Sequence, residues 1–289
     1  GISRRTWLTL FIIMSAGLFI RVWAVPHTHH VYFDEFEHLN GAENLYYRGI
    51  YCATEQGTGS SPEVIEPLNW PPMYHYLLSV AFAAFGPSEA VAFELSSVLG
   101  ALSVLLVFLL AYLLLNDQRV AIYAAFLFNL IPVHLKYSGS SETGITSLFF
   151  ILWALISGLI YVRRFDTQGL WGLILSLAVA LYCRPENFFL LVLVPGFVLL
   201  FLDKNQRSSG TARAHLIVSV CSLMVLAAPY LVHMLLGQIV VHPPGWEQGT
   251  GRRLLNLKEH VIGNLWFWFG PHHPSLVTLL ALAGIPALW

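Results

Sequence analysis

The feature that most constrains this chain is its alternation of long apolar blocks with short polar segments. The blocks are roughly 15 to 26 residues long, the range in which an α-helix crosses the hydrocarbon core of a membrane. Of all residues 56% are hydrophobic and only 11% are charged, whereas a soluble domain carries about 25% charged residues. The sequence therefore predicts an all-α, polytopic transmembrane helix bundle that forms a single transmembrane domain over residues 1–289.

Eight apolar blocks are predicted to be membrane spans. They cover residues 6–25, 90–115, 120–135, 144–162, 169–183, 188–202, 214–236 and 276–289. The first follows two arginines and resembles a signal peptide, but it is long and further apolar blocks follow it, which favours a span. The eighth stops with the sequence, so the chain is expected to be a fragment or a shortened protein.

A further apolar block at 73–85 decides the topology, because it is too short for an ordinary span. If this block does not cross the membrane, eight of the 15 basic residues but only three of the 16 acids lie in segments on the same side of the membrane as the N-terminus. These residues are Arg4, Arg5, Arg119, Arg163, Arg164, Lys204, Arg207 and Arg213, and Asp117, Asp166 and Asp203. Cytoplasmic segments are rich in Lys and Arg, which predicts a cytoplasmic N-terminus. Block 73–85 is then a helix at the outer surface, with Trp70, Tyr74 and Tyr76 as interface aromatics.

The predicted extracytoplasmic side holds every group of chemically versatile residues. It comprises a first loop over 26–89 with helices close to the membrane, turns at 136–143 and around 184–186, and a later loop over 237–275. The formal net charge is −1, so no basic surface indicates a nucleic-acid partner.

The first group is the pair Asp34 and Glu35, shortly after the first span. Asp34 is predicted to cap a helix that runs to about residue 47. Glu37, His38 and Gly41 lie on the same face of this helix as Asp34, and Glu35 lies on another face. A carboxylate just outside a membrane can act as a general base or bind a cation. The alternative is that both acids only stabilise the first turn of the helix through its dipole.

Two short turns carry the other candidates. Glu142 is the only acid in the turn that also contains Lys136, and it is either a site carboxylate or a cap for the following span. Arg184 is placed to bind a phosphate, or else to extend to the membrane surface or pair with Glu186.

Twelve histidines are present, and all but His215 fall on or near the predicted outer side. Their spacing matches no recognised ligand pattern, and the three cysteines form neither a metal nor a disulfide pattern. A divalent metal site therefore stays open as an alternative. No other cofactor is indicated.

The order of short motifs resembles a known superfamily. The motifs are Asp34-Glu35, the helix from Gly41 to Gly49, Pro71-Pro72-Met73-Tyr74, Pro87-Ser88-Glu89 and Arg184-Pro185-Glu186. Together they resemble the GT-C membrane glycosyltransferases, in particular the branch of protein O-mannosyltransferases and the lipid A aminoarabinose transferase, over about residues 5–205.

The resemblance implies a transferase that moves a sugar from a polyprenyl-phosphate carrier to a protein, lipid or glycan at the outer face. A direct displacement of the carrier phosphate would invert the anomeric centre. It implies that Asp34, with Glu35 beside it, is catalytic, and that Glu142 is a second acid. Relatives often carry Asp and Arg at this second position, where the present turn has Glu142 and Lys136. Arg184 would hold the carrier phosphate. Further predicted substrate-binding residues are Glu186, Lys136, His38, Trp70 and Tyr74.

Other functions stay open. Family members usually have more spans and often a soluble outer domain, so a non-catalytic GT-C-like subunit of a larger membrane complex is the main alternative. A transporter would need charges near mid-membrane, whereas the acids here lie at span ends. A metal-dependent hydrolase would use the histidines.

Overall fold

A computed structural model describes residues 2–24, 33–55, 64–68, 70–202 and 204–240. Residues Gly1–Gln238 form one compact unit, to which the following description applies. The helices are α1 (Arg4–Phe19, extended by a π turn over Ile20–Ala24), α2 (Phe33–Arg48), α3 (Met73–Phe85), α4 (Glu89–Leu115), α5 (Gln118–Asn129), α6 (Pro132–Ser138), α7 (Thr143–Arg164), α8 (Thr167–Leu181), α9 (Leu190–Phe201), α10 (Lys204–Ser208) and α11 (Gly210–Val240, running past the unit).

The prediction of a multi-span helical membrane protein is confirmed, but the count of eight spans is not. In the described ranges, α1 with its π turn, α4, α7 and the Gly210–Tyr230 part of α11 are long and apolar enough to cross a membrane. The predicted span 120–135 is instead a pair, α5 and α6, bent by 63°. Pro132 starts α6 and cannot donate a backbone hydrogen bond, which ends the preceding helix. Blocks 169–183 and 188–202 form shorter helices, and 276–289 lies outside the described residues.

Helix α3 has the predicted limits and packs against the rest of the protein along one face. It follows Pro71-Pro72 and ends at Gly86, whose φ of 88° suits glycine. Tyr74, Leu78 and Phe82, spaced four apart on one face, are buried. The prediction that Tyr74 is an interface aromatic is therefore wrong, whereas Tyr76 is exposed as expected.

The segments predicted to be cytoplasmic gather at one end of the bundle. Ser3 N and Thr6 Oγ1 donate to Gln118 Oε1 at 3.0 and 2.6 Å, which joins the N-terminus to the turn before α5. A guanidinium nitrogen of Arg163, at the end of α7, donates to the carbonyl of Leu113 near the end of α4. The membrane side on which this end lies stays a prediction.

A two-stranded β-ribbon lies beside α2 in the first loop and was not predicted. Strand β1 (Cys52–Glu55) pairs antiparallel with β2 (Val64–Pro67). Asn44 Nδ2 donates to the carbonyl of Cys52 at 3.0 Å, and Asn40 Oδ1 accepts from Thr54 N at 2.8 Å. These side chains attach the ribbon to α2.

Candidate active site

Four segments meet at the other end of the bundle, which we call the site end: the starts of α2 and α3, the turn 139–142, and the turn 182–187. Glu35 Oε2 accepts hydrogen bonds from Ser141 N at 3.1 Å and Ser141 Oγ at 3.2 Å. Met73 N donates to the carbonyl of Tyr182 at 2.9 Å. These bonds fix the start of α2 on the turn before α7, and the start of α3 on the end of α8.

The two neighbouring acids of α2 have opposite surroundings. Glu35 is fully buried (0% exposed), whereas Asp34 is exposed. The helix begins at Phe33, so the prediction that Asp34 caps it is wrong, and Asp34 lies in the first turn. Asp34 is thus the accessible carboxylate of the two, while Glu35 holds the turn that bears Ser141.

Glu142 occupies the N-cap position of α7, but its side chain makes no capping hydrogen bond. The simple capping explanation for this acid is therefore not what the structure shows. Burial raises the pKa of Tyr74, and the negative charges of Glu35 and Glu142 raise it further. Both carboxylates consequently lie near the Tyr74 ring at the site end.

Arg184 pairs with Glu186, with Nε 3.2 Å from Oε2, so the predicted ion pair is present. The two side chains are 40% and 63% exposed, and such pairs contribute little stability. A Cβ added to Gly144 would lie 3.6 Å from Arg184 Nη1, which places the guanidinium beside the first turn of α7. Asn187 holds the turn by donating to Ser147 Oγ at 2.9 Å.

His38 lies in an aromatic wall of this site. It is 1% exposed, and its ring centroid is 5.1 Å from that of Trp70 and 5.9 Å from that of Tyr74. Its Nδ1 is 3.2 Å from Nε2 of His75. A Cβ on Gly41 would lie 3.0 Å from His75 Cδ2 and 2.3 Å from Leu68 Cδ1, so any larger residue would have to displace these side chains.

Burial, and secondarily the charge of Arg184, lowers the pKa of His38 to about 4. Burial, and secondarily His38, lowers the pKa of His75 to about 3. Arg184 is therefore close enough to act on His38, which lies one helical turn from Asp34 on the same face. Both imidazoles are neutral at physiological pH.

The lowered pKa values of His38 and His75 lead us to expect that the local stability of α2 falls in acid. Because folding lowers both pKa values from 6.5, their contribution is fully present above pH 6.5 and is lost as the pH falls through about 4 and then about 3. We expect amide hydrogen exchange of α2, corrected for intrinsic rates, to accelerate over this window relative to α7. The double variant His38→Gln/His75→Gln should lose most of the pH dependence. A constant ratio between the two helices in the unaltered protein would contradict the prediction.

The structure brings together eight of the nine predicted site residues around His38: Asp34, Glu35, His38, Trp70, Tyr74, Glu142, Arg184 and Glu186. Tyr74 is fully buried and belongs to the wall rather than the surface. The ninth, Lys136, is exposed on α6, with its ammonium 5.7 Å from the ring centre of Tyr137.

Sequence reasoning missed a buried polar cluster behind the site end. Arg21 is fully buried; its Nη1 donates to Asn129 Oδ1 at 2.7 Å and its Nη2 lies 2.8 Å from His134 Nδ1. Asn129 also donates to the carbonyl of Ile13 at 3.1 Å. A Cβ on Gly17 would lie 2.1 Å from Asn129 Oδ1, so glycine makes room for this side chain. The cluster ties α1 to the bend between α5 and α6, and an arginine near the end of an apolar block was its only signal.

Within the described ranges, no group of three or more His, Cys, Asp or Glu side chains could hold a metal ion. His27, His29 and His30, and those in the predicted loop 237–275, lie outside these ranges. The divalent-ion site therefore stays a prediction.

Several solved structures share this fold, and two of them are representative. The Saccharomyces cerevisiae protein O-mannosyltransferase Pmt1-Pmt2 complex bound to the sugar donor matches with a TM-score of 0.63 and 19% identity over 82% of this chain and 34% of that chain. The archaeal oligosaccharyltransferase AglB from Archaeoglobus fulgidus, with an inhibitory peptide and a dolichol-phosphate, matches with a TM-score of 0.60 and 17% identity over 96% of this chain and 39% of that chain. The present chain thus spans little more than a third of either.

Sequence comparison gives the family. A comparison with curated proteins found no match. Residues 69–233, more than half of the chain, match the family of dolichyl-phosphate-mannose-protein mannosyltransferases. Asp34 and Glu35 precede the matched segment, so the family match does not include them. The resemblance to GT-C glycosyltransferases is confirmed, and the chain belongs to the dolichyl-phosphate-mannose-protein mannosyltransferase family.

Proposed function

We propose that this protein transfers a sugar from a polyprenyl-phosphate carrier to an acceptor at the outer face of the membrane, with inversion at the anomeric carbon. The observation that carries the proposal is the placement of Asp34 and Arg184 around His38. Asp34 lies one turn from His38 on α2, and the charge of Arg184 acts on the same imidazole. A carboxylate and a cation are thereby set close together at one end of an apolar bundle.

The chemistry follows from the donor. A sugar joined to a polyprenyl phosphate is already activated, because the phosphate can leave as an anion. Asp34 takes the proton from an acceptor hydroxyl or amine as the acceptor atom bonds to the anomeric carbon. The bond from that carbon to the phosphate oxygen breaks on the opposite side, and Arg184 binds the departing anion. One displacement of this kind inverts the anomeric centre.

The ion pair of Arg184 suits this task. Because both partners are partly exposed, a phosphate can replace Glu186 at small energetic cost. The guanidinium fork matches two phosphate oxygens, which an ammonium group does not.

An apolar cavity supports a lipid-linked substrate. It measures about 440 Å³ and lies between α8, α9 and α11. Phe188, in the turn that follows Arg184, lines it, as do Leu177 and Leu223. An isoprenoid chain whose phosphate is at Arg184 would find apolar walls there.

The related structures support the same donor class, since one contains a sugar donor and the other a dolichol-phosphate. The peptide in the archaeal enzyme supports a protein acceptor, beside lipids and glycans. The paired chains of the yeast enzyme support a membrane protein partner.

Arg184→Gln is expected to weaken binding of a polyprenyl-phosphate hexose by about 10- to 100-fold, because a hydrogen bond to a charged group contributes about 1.5–3 kcal/mol. The donor affinity of Arg184→Lys should fall between those of the unaltered protein and Arg184→Gln. The measurement is equilibrium binding of a radiolabelled donor to the protein in nanodiscs.

Glu186→Gln is the matched control, since it frees Arg184 without removing it and should leave donor affinity equal or higher. Unchanged affinity in Arg184→Gln would contradict the proposed phosphate site.

A further inference from the structure

A chain of three side chains runs from the β-ribbon to the candidate active site. Tyr51 Oη donates to the carbonyl of Trp70 at 2.7 Å. Its single proton is used there, so toward His75 Nδ1, 3.2 Å away, the phenol oxygen can only accept. His75 therefore carries its proton on Nδ1.

The position of the proton on His75 determines the position of the proton on His38. His75 is fully buried and neutral, so with its proton on Nδ1 its Nε2 is an acceptor. The partner of this Nε2 is His38 Nδ1 at 3.2 Å, which must be the donor. Since His38 is also neutral, its Nε2 holds a lone pair. That nitrogen makes no hydrogen bond to any residue within the described ranges.

We infer that Tyr51 and His75 are positioning residues that hold His38 as the Nδ1–H tautomer, so that His38 Nε2 accepts a hydrogen bond from a hydroxyl group of the substrate. The inference rests on the proposed function for the identity of the substrate, whose hydroxyl group is one of the sugar of the lipid-linked donor. The tautomer itself follows from the hydrogen bonds and from the neutrality of the two buried rings.

The fold holds these three groups rigidly. Gly41 lets the His75 ring lie against α2. Asn44 fixes Cys52, the residue after Tyr51, through its bond to the Cys52 carbonyl. The Tyr51 ring lies 5.1 Å from the His75 ring, centre to centre. A phenylalanine at position 51 would keep this packing but remove the oxygen that selects the tautomer.

The test is nitrogen NMR of the protein in nanodiscs with ¹⁵N-labelled histidine, without substrate. The difference from His38→Gln identifies the His38 resonances. The expected result is a protonated Nδ1 and an unprotonated Nε2 in His38, and a gain of the Nε2–H form in Tyr51→Phe. Tyr76→Phe, which alters a ring stacked on Tyr51 at 6.4 Å, is the matched control and should leave the tautomer unchanged.

A protonated Nε2 in the unaltered protein, or an unchanged tautomer in Tyr51→Phe, would overturn the inference. Donor binding tests the hydrogen bond between the substrate and His38 Nε2. Tyr51→Phe should weaken binding of the polyprenyl-phosphate hexose by about three- to tenfold, the effect of one hydrogen bond, and equal binding would refute the contact with substrate. Because the tautomer is read without turnover, its failure is distinguishable from a failure of the proposed transferase activity.

Discussion

Asp34→Asn is expected to lower the rate of sugar transfer by about 10²- to 10⁴-fold, the usual contribution of a positioned general base. Asparagine has nearly the same shape but cannot take the acceptor proton. Asp34 is exposed in the first turn of α2 and its removal leaves the Glu35–Ser141 bonds in place. Donor binding should therefore be unchanged, because Arg184 keeps the phosphate. Single-turnover kinetics with saturating donor measures the effect separately from binding.

Glu43→Gln, a change of a half-buried acid farther along the same helix, is the control and should transfer at the normal rate. Glu35→Gln should instead lower thermal stability, because Glu35 is buried on Ser141. Full transfer by Asp34→Asn would remove Asp34 from the role of base. Loss of transfer by Glu35→Gln at normal stability would assign the role to Glu35.

Asn129→Leu is expected to lower the free energy of unfolding by about 1.5–3 kcal/mol, the contribution of a hydrogen bond made by a charged group. Arg21 is fully buried, and its Nη1 bonds to Asn129 at 2.7 Å. The same change removes the bond from Asn129 to the carbonyl of Ile13. Reversible unfolding in mixed micelles, followed by circular dichroism, gives the free energy.

A double variant separates the effect of the Arg21 charge on stability from the effect of side-chain packing. Arg21→Met combined with Asn129→Leu replaces both partners by apolar groups, and this should recover most of the stability that Asn129→Leu loses. A loss below about 1 kcal/mol in Asn129→Leu, the size of one ordinary hydrogen bond, would show that Arg21 finds another partner and would contradict the account of this cluster.

Local patterns predicted the elements whose limits are set locally. Met73–Phe85 has the predicted limits because the prolines before it and Gly86 after it act on their own neighbours. The blocks 90–115 and 144–162 appear as α4 and α7 within one or two residues at each end. Long apolar runs need only a membrane to become helices.

Features that depend on distant partners were not predictable. Helical spacing separates Asp34 from Glu35, but only the contact with Ser141 shows which one is buried. Likewise, Tyr51, His75 and Arg21 acquire their roles from residues far away in the sequence. The β-ribbon depends on side chains of α2, and the stretch 54–67 is rich in Gly, Ser and Pro, which favour loops.

The most direct test of the central claim is a transfer assay of the full-length protein in nanodiscs with a panel of polyprenyl-phosphate sugars. Water, peptides, lipids and glycans serve as acceptors, and Asp34→Asn is run in parallel. We expect that at least one donor is consumed, that the product has the inverted anomeric configuration, and that Asp34→Asn slows consumption by about 100-fold or more. Binding without consumption of any donor, or equal consumption by Asp34→Asn, would contradict the central claim, and the first of these results would favour a non-catalytic subunit of a membrane complex.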